Sequence, residues 1–252
     1  MGSPRDIEVT SKTVDLASKV KELTQQAKTE ALGAEESRSE GAKKLPEEGR
    51  YVYCIIPWDG DDRNVSFGHM SIEDGGEVYA IPCGNIAAVV SNSPFKEYLL
   101  TEDNVYAHSQ VITSVMQEYP VLPMAFGMAF RNEKILRMVL ERVHDDLKRI
   151  MKEIEGKVEF GVQVLLPKEV GFDEDAFASE IEALRQLSTQ CKLGKRFSTH
   201  LILNAFYLVE KEKVEAFLGA IKTLEGKFEQ LKIKCTGPWP PFNFVTIKVG
   251  RD

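Results

Sequence analysis

The chain has 252 residues, enough for two domains of roughly 100 residues each, and its 43% hydrophobic content is that of an ordinary globular protein with a real core. Its 32 basic and 39 acidic residues give a net charge of −7 and a pI near 5.3. That balance argues against a general affinity for nucleic acid, whose phosphates reward clustered Lys and Arg, and falls short of the acidic excess of proteins that live in saturated salt.

Residues 1–50 contain no Phe, Trp, Tyr or Cys and are dominated by charged and small residues. Such a stretch cannot bury enough surface to fold alone and reads as a charged extension and linker. Within it Leu16, Val20, Leu23 and Ala27 share one helical face, with Lys19, Lys21, Glu22 and Lys28 on the others. Two heptads predict a marginal helix that orders on a partner. Gly33 to Gly49 reads as flexible linker.

A first domain is expected over 51–156. Tyr51 to Pro57 is an apolar, β-branched and aromatic run closed by proline, a buried strand. Two short strands follow at Val78–Ile81 and Asn85–Ser91, with Pro82 and Gly84 as turn chemistry. Thr101 reads as the N-cap of a helix to Tyr119, stopped by Pro120, with Val105, His108, Ile112, Val115 and Tyr119 inward. Val121 to Phe130 reads as a strand under a helix. Asn132 caps a long helix to Glu155, ended by Gly156, that bridges to the second half.

From 157 to 252 the expected order is strand (to Leu166), helix (Asp173 to Lys192), strand (Thr199 to Val209), helix (Lys211 to Leu224) and strand (Phe228 to Cys235). A last strand is expected at Phe242 to Val249. The predicted fold class is therefore α+β: two domains, the C-terminal one a modified ferredoxin-like α/β sandwich, behind a flexible or marginally helical extension.

Chemical signatures are sparse. No apolar run approaches the roughly twenty residues of a membrane span, and without a signal-peptide core the chain is expected to be cytoplasmic. Cys54, Cys83, Cys191 and Cys235 form no CxxC pair and read as small hydrophobes. There is no Walker A loop, GxGxxG turn, HExxH or GxSxG elbow, so neither catalysis nor a cofactor is expected. Asp59 to Met70 begins like a calcium loop, but Arg63, Asn64 and Met70 stand where an oxygen ligand, a glycine and a glutamate are needed. His108, on an apolar helix face, reads as a buried structural histidine bonded through its ring nitrogens; His69 and His144 read as exposed. The basic clusters Lys192, Lys195, Arg196 and Arg131, Lys134, Arg137 read as solubility and helix-flank charge.

One motif stands out, Gly237-Pro-Trp-Pro-Pro-Phe-Asn-Phe244. Three prolines make it a stiff ribbon from which Trp239 and Phe242 hang, either as interface anchors that lose little entropy on docking or, for Trp239 equally, as a plug folded back into its own domain's core. Phe244 is expected to enter the core.

Taken in order, YVYCIIP, NIAAVVS, AHSQVITSVM, VLPMAFGMAF, GKVEFGVQVLLP, LNAFYLVE and GPWPPFNF resemble the gas vesicle GvpF/GvpL family over positions 51 to 244. The resemblance implies two α+β domains, the C-terminal one modified ferredoxin-like. It also implies a part in building the shells of gas vesicles, as an assembly factor or minor shell-associated component. The implied partners are the small shell protein GvpA and other accessory proteins. On that reading the contact surface comprises Trp239, Pro240, Pro241 and Phe242 of the ribbon and Met124 and Phe126 at an exposed LPMAFG edge. The helical face Leu16, Val20 and Leu23 completes it. This sequence departs from the family in carrying Met124 and Ala125 where an arginine often stands between the Pro and Phe of LPxxFG. A second reading of the same fold is a small-molecule-binding or regulatory module, with a polar pocket near His108 and Arg131.

Overall fold

The computed structural model describes residues 14–15, 48–60, 65–72, 76–167 and 171–247. Leu16, Val20 and Leu23, and Asp61 to Asn64 of the Asp59 loop, lie outside them.

Ten strand segments and four helices in two antiparallel systems account for most of these residues. The first system is built on β2 (Glu48–Pro57), which pairs on one side with β5 (Ile86–Pro94) and on the other with two short pieces, β6 (Leu122–Pro123) and β7 (Ala129–Phe130). Beyond β5 lie β4 (Glu77–Cys83) and β3 (Ser66–His69). A register shift between Val52 and Cys54 breaks the two-residue alternation of β2. As a result Tyr51, Tyr53, Cys54 and Ile56 face one core while Val52 and Ile55 face the other. Both faces are covered, which is why Tyr51 to Ile56 read as one unbroken apolar run.

The first face is covered by α1 (Glu102–Val115), capped as expected by Thr101, whose side chain accepts from the Asn104 amide. The helix ends four residues before Tyr119, and its buried set is His108, Val111, Ile112 and Val115. Val105, expected inward, is exposed. The second face is covered by α2 (Glu133–Ile154), capped by Asn132 accepting from the Ile135 amide. Gly156 follows it with φ +69°, the left-handed C′ position. Ile135, Val139, Val143, Leu147, Ile150 and Ile154 are buried as their spacing requires.

The second system is β8 (Lys157–Leu165), α3 (Glu174–Gln186), β9 (Gln190–Leu193), β10 (Leu201–Glu210), α4 (Val214–Lys227) and β11 (Lys232–Trp239), in sheet order β11-β8-β10-β9. This is a β-α-β-β-α-β connectivity with α3 and α4 on one face, around Phe160, Tyr207, Phe217 and Leu224. The other face meets the first system. Leu208 of β10, with Phe244 and Val245 beyond β11, joins the same core as α2.

The 173–192 segment is not all helix: α3 stops at Gln186 and Gln190–Leu193 form an edge strand, its amides drawn into pairing with β10. Val121–Phe130 is not one strand, because Gly127 (φ +80°) turns the chain between β6 and β7. The linker ends sooner than residue 50. Gly49 is already in β2, where an added Cβ would lie 2.6 Å from the Ser93 carbonyl. Of the expected last strand, Phe242–Phe244 form a 3-10 turn instead, Thr246–Ile247 form β12, which pairs with β1 (Val14–Asp15), and 248–249 lie outside the described residues. His144 is half-buried, its Nε2 facing Gly84.

Leu147→Ala should lower unfolding free energy by about 2–5 kcal/mol, because it opens a cavity under α2. Leu218→Ala, on the outer side of α4, should stay within about 0.5 kcal/mol. Chemical denaturation of both variants checks the assignment of α2 as the main core helix. Equal effects would contradict it.

Candidate functional site

The proline-rich ribbon does not hang free. β11 follows β8 residue for residue from Lys232 opposite Leu165 to Thr236 opposite Gly161, then gains one residue before Trp239 pairs with Glu159. The extra residue is taken up at Gly237–Pro238, a cis peptide with Gly237 at φ +129°. An added Cβ there would lie 2.7 Å from the Glu159 carbonyl and 2.9 Å from the Phe160 ring, so both conformation and space demand glycine. Pro240 and Pro241 are buried, and a 3-10 turn at Phe242–Phe244 closes with the Phe244 amide donating to the Pro241 carbonyl.

Asn243 is the clamp. Its backbone amide donates to Glu159 Oε2 at 2.8 Å and its side-chain Nδ2 to Glu159 Oε1 at 2.5 Å. Its carbonyl accepts from Lys192 Nζ at 2.8 Å, and that ammonium also lies 5.4 Å from the Phe244 ring centroid. Glu159 is only 3% exposed. Burial raises its carboxyl pKa, and the two bonds from Asn243 and the charge of Lys192 oppose that rise. Phe244 is inside the core, as expected. Trp239 and Phe242 remain 42% and 38% exposed, so a ribbon fixed at its backbone presents two large rings outward.

The other residues expected at the contact surface are placed differently. Met124 is buried in the core under α2, its amide bonded to the Tyr53 carbonyl, so it is no part of an exposed edge. Phe126 is half-buried against Tyr51 and His108, and Pro240 and Pro241 hold the ribbon down rather than face outward. Glu159 and Asn243 went unread in the sequence. The available signal was a carboxylate set between Val158 and Phe160 in a mostly apolar strand.

His108 is 3% exposed with both ring nitrogens engaged. The Met124 carbonyl can only accept, so Nε2 carries the proton and donates to it at 3.1 Å. Nδ1 then accepts from the Tyr51 hydroxyl at 2.9 Å, and that hydroxyl accepts in turn from the Gly127 amide at 3.0 Å. The chain of bonds ties α1 to β2 and to the turn between β6 and β7. Desolvation lowers the His108 pKa from 6.5 to about 4, partly offset by the Met124 bond. A cavity of about 540 Å³ opens elsewhere, between the C-terminal half of α2 and Pro57, Ile86 and Pro120; neither His108 nor Arg131 lines it. Among the described residues no group of three or more His, Cys, Asp or Glu side chains could hold a metal ion, and no helix is long and apolar enough to cross a membrane.

The family model described as gas vesicle synthesis protein GvpL/GvpF matches residues 49–180 and 172–246. The chain belongs to the gas vesicle GvpL/GvpF family. It is 34% identical over 209 residues to gas vesicle protein F1 of Halobacterium salinarum, covering 81% of this chain and 96% of that protein. Against gas vesicle protein F of Haloferax mediterranei the figures are 35% over 208 residues, 80% and 95%. The crystal structure of GvpF from Anabaena sp. PCC7120 superposes with a TM-score of 0.66 at 17% identity, covering 79% of this chain and 99% of that one. The family match spans both sheets and the ribbon, and assigns the chain a gas vesicle accessory role.

The His108 bonds give a pH signature. With its folded pKa below the unfolded value, the histidine contributes stability that is complete above pH 6.5 and lost as pH falls from 6.5 to about 4. The loss is on the order of 3 kcal/mol. His108→Gln should remove that part of the slope, measured as the difference between the two proteins' denaturation midpoints across this range. Parallel curves would mean that the ring is not held neutral.

Proposed function

We propose that this chain acts in gas vesicle assembly by binding the small apolar shell protein GvpA, together with other accessory proteins, through the ribbon at Trp239 and Phe242. The observation that carries the reading is a rigid backbone displaying two exposed rings. Holding the ribbon at Asn243 means little conformational entropy remains to be lost on contact, so ring burial converts efficiently into affinity. Short apolar shell subunits are an aggregation hazard before assembly, and a net-acidic partner that covers one apolar face keeps them dispersed. In this proposal the chain is not an enzyme, and its two halves, meeting near Gly156, act as separate domains with the C-terminal ferredoxin-like one carrying the ribbon.

Replacing Trp239 and Phe242 with Ala tests this by co-expression with the shell protein. Both rings are substantially exposed, so the melting temperature should change little while co-purification is lost. Retained co-purification would place the shell contact on another face.

A further inference from the structure

Among the described residues two exposed apolar patches outside the ribbon carry opposite charge. The first surrounds the start of α1: Leu99 is 74%, Leu100 79%, Tyr106 66% and Val105 39% exposed. Its flanks are acidic and exposed, at Glu97, Glu102 and Asp103, against one nearby cation, Lys96, which sits over the Tyr98 ring. The turn is rigid. Thr101 caps the helix, and Asn104 Nδ2 and the Thr101 amide both donate to the Leu99 carbonyl at 2.9 Å.

The second patch is the loop after β9, where Leu193 is 68% and Phe197 77% exposed beside exposed Lys195 and Arg196. This loop is also fixed. The Gly194 amide donates to the Asn204 carbonyl at 2.8 Å, and Asn204 Nδ2 donates to the Lys195 carbonyl at 2.8 Å. Gly194 is itself required, since a Cβ there would lie 2.5 Å from Asn204 Nδ2.

Rigid, exposed apolar groups flanked by charge mark interaction surfaces, and opposite charge selects which surfaces meet. Met116, just past the end of α1, packs into the core of the second sheet. The acidic patch therefore sits at the far end of a 14-residue helix, about 20 Å from that contact, and does not fold onto its own second sheet. We propose that the acidic patch at Leu99, Leu100 and Tyr106 receives the basic loop Leu193–Phe197 of a second copy of this chain. Because the two patches differ, the contact is heterologous, and in the open, non-closing arrangement proposed here it leaves one free patch at each end for further copies to add head to tail into an open row. This goes beyond the reading of the ribbon and does not depend on it.

Sedimentation velocity on the full chain tests it. The wild-type coefficient should rise with concentration past that of a dimer. Leu100→Ser/Tyr106→Ser and Phe197→Ser/Arg196→Glu should each stay monomeric alone, while their mixture stops at a one-to-one dimer, since each supplies one intact patch. Charge reversal gives a second reading: Glu102→Lys/Asp103→Lys and Lys195→Glu/Arg196→Glu should be monomeric separately and re-form the open row when mixed. A wild-type protein that stays monomeric at every concentration, a single variant that still dimerises, or mixtures that do not associate would each overturn the proposal.

Discussion

A carboxylate taken out of water is costly unless it is met by donors or cations, and Glu159 is met by both. It lies in a strand between Val158 and Phe160, on the sheet face that turns toward the first system, where Asn243 supplies two donors and Lys192 a nearby charge. The requirement runs in both directions. Glu159 needs the returning ribbon to satisfy its oxygens, and the ribbon needs Glu159 to fix its 3-10 turn. Gly237 makes the approach possible by admitting the chain against the Glu159 carbonyl. With Asn243 fixed, Phe244 and Val245 drop into the core shared with α2, and the two sheets are joined by packing as well as by the chain at Gly156.

The first system depends on a comparable economy in β2. A register shift lets one strand feed two cores, and the polar groups this leaves inside are bonded to one another. Tyr51 joins His108 to the Gly127 amide, and Tyr53 accepts from the Ile72 amide and bonds to Ser91. A buried histidine thus serves the fold through its geometry as a neutral donor and acceptor. Among the described residues its ring nitrogens meet the Tyr51 hydroxyl and the Met124 carbonyl, and the rings of Tyr51, Tyr53 and Phe126 surround it.

Much of the architecture was legible because strong local signals agreed. Thr101 and Asn132 cap their helices, Gly156 ends α2, and the period of Ile135 to Ile154 faces the core. What escaped were features decided by tertiary pairing. Gln190–Leu193 continues the apolar pattern of α3, and only the presence of β10 alongside makes it a strand. Val105 fits the helical stripe of α1, yet it is exposed, since only tertiary packing decides which part of a stripe is covered. Met124 is expected at an exposed edge meeting a partner, but an uncharged LPMAFG segment fits a buried position equally well, and Met124 sits in the core under α2. In the ribbon, Trp239 and Phe242 were legible as large rings on a stiff backbone. The Glu159–Asn243 grip was not, since 84 residues separate its partners and neither type has a local pattern that demands the other.

The claim that the ribbon works as an anchor because Glu159 holds it is tested most directly by Glu159→Leu. That change removes the grip from beneath without altering any exposed ring. Amide hydrogen exchange at Asn243 and affinity for the shell protein should be measured on the same folded variant. Faster exchange at Asn243 and weaker binding are expected together. Faster exchange with undiminished binding would contradict that claim, since the rings would then be doing their work without the rigidity assigned to them.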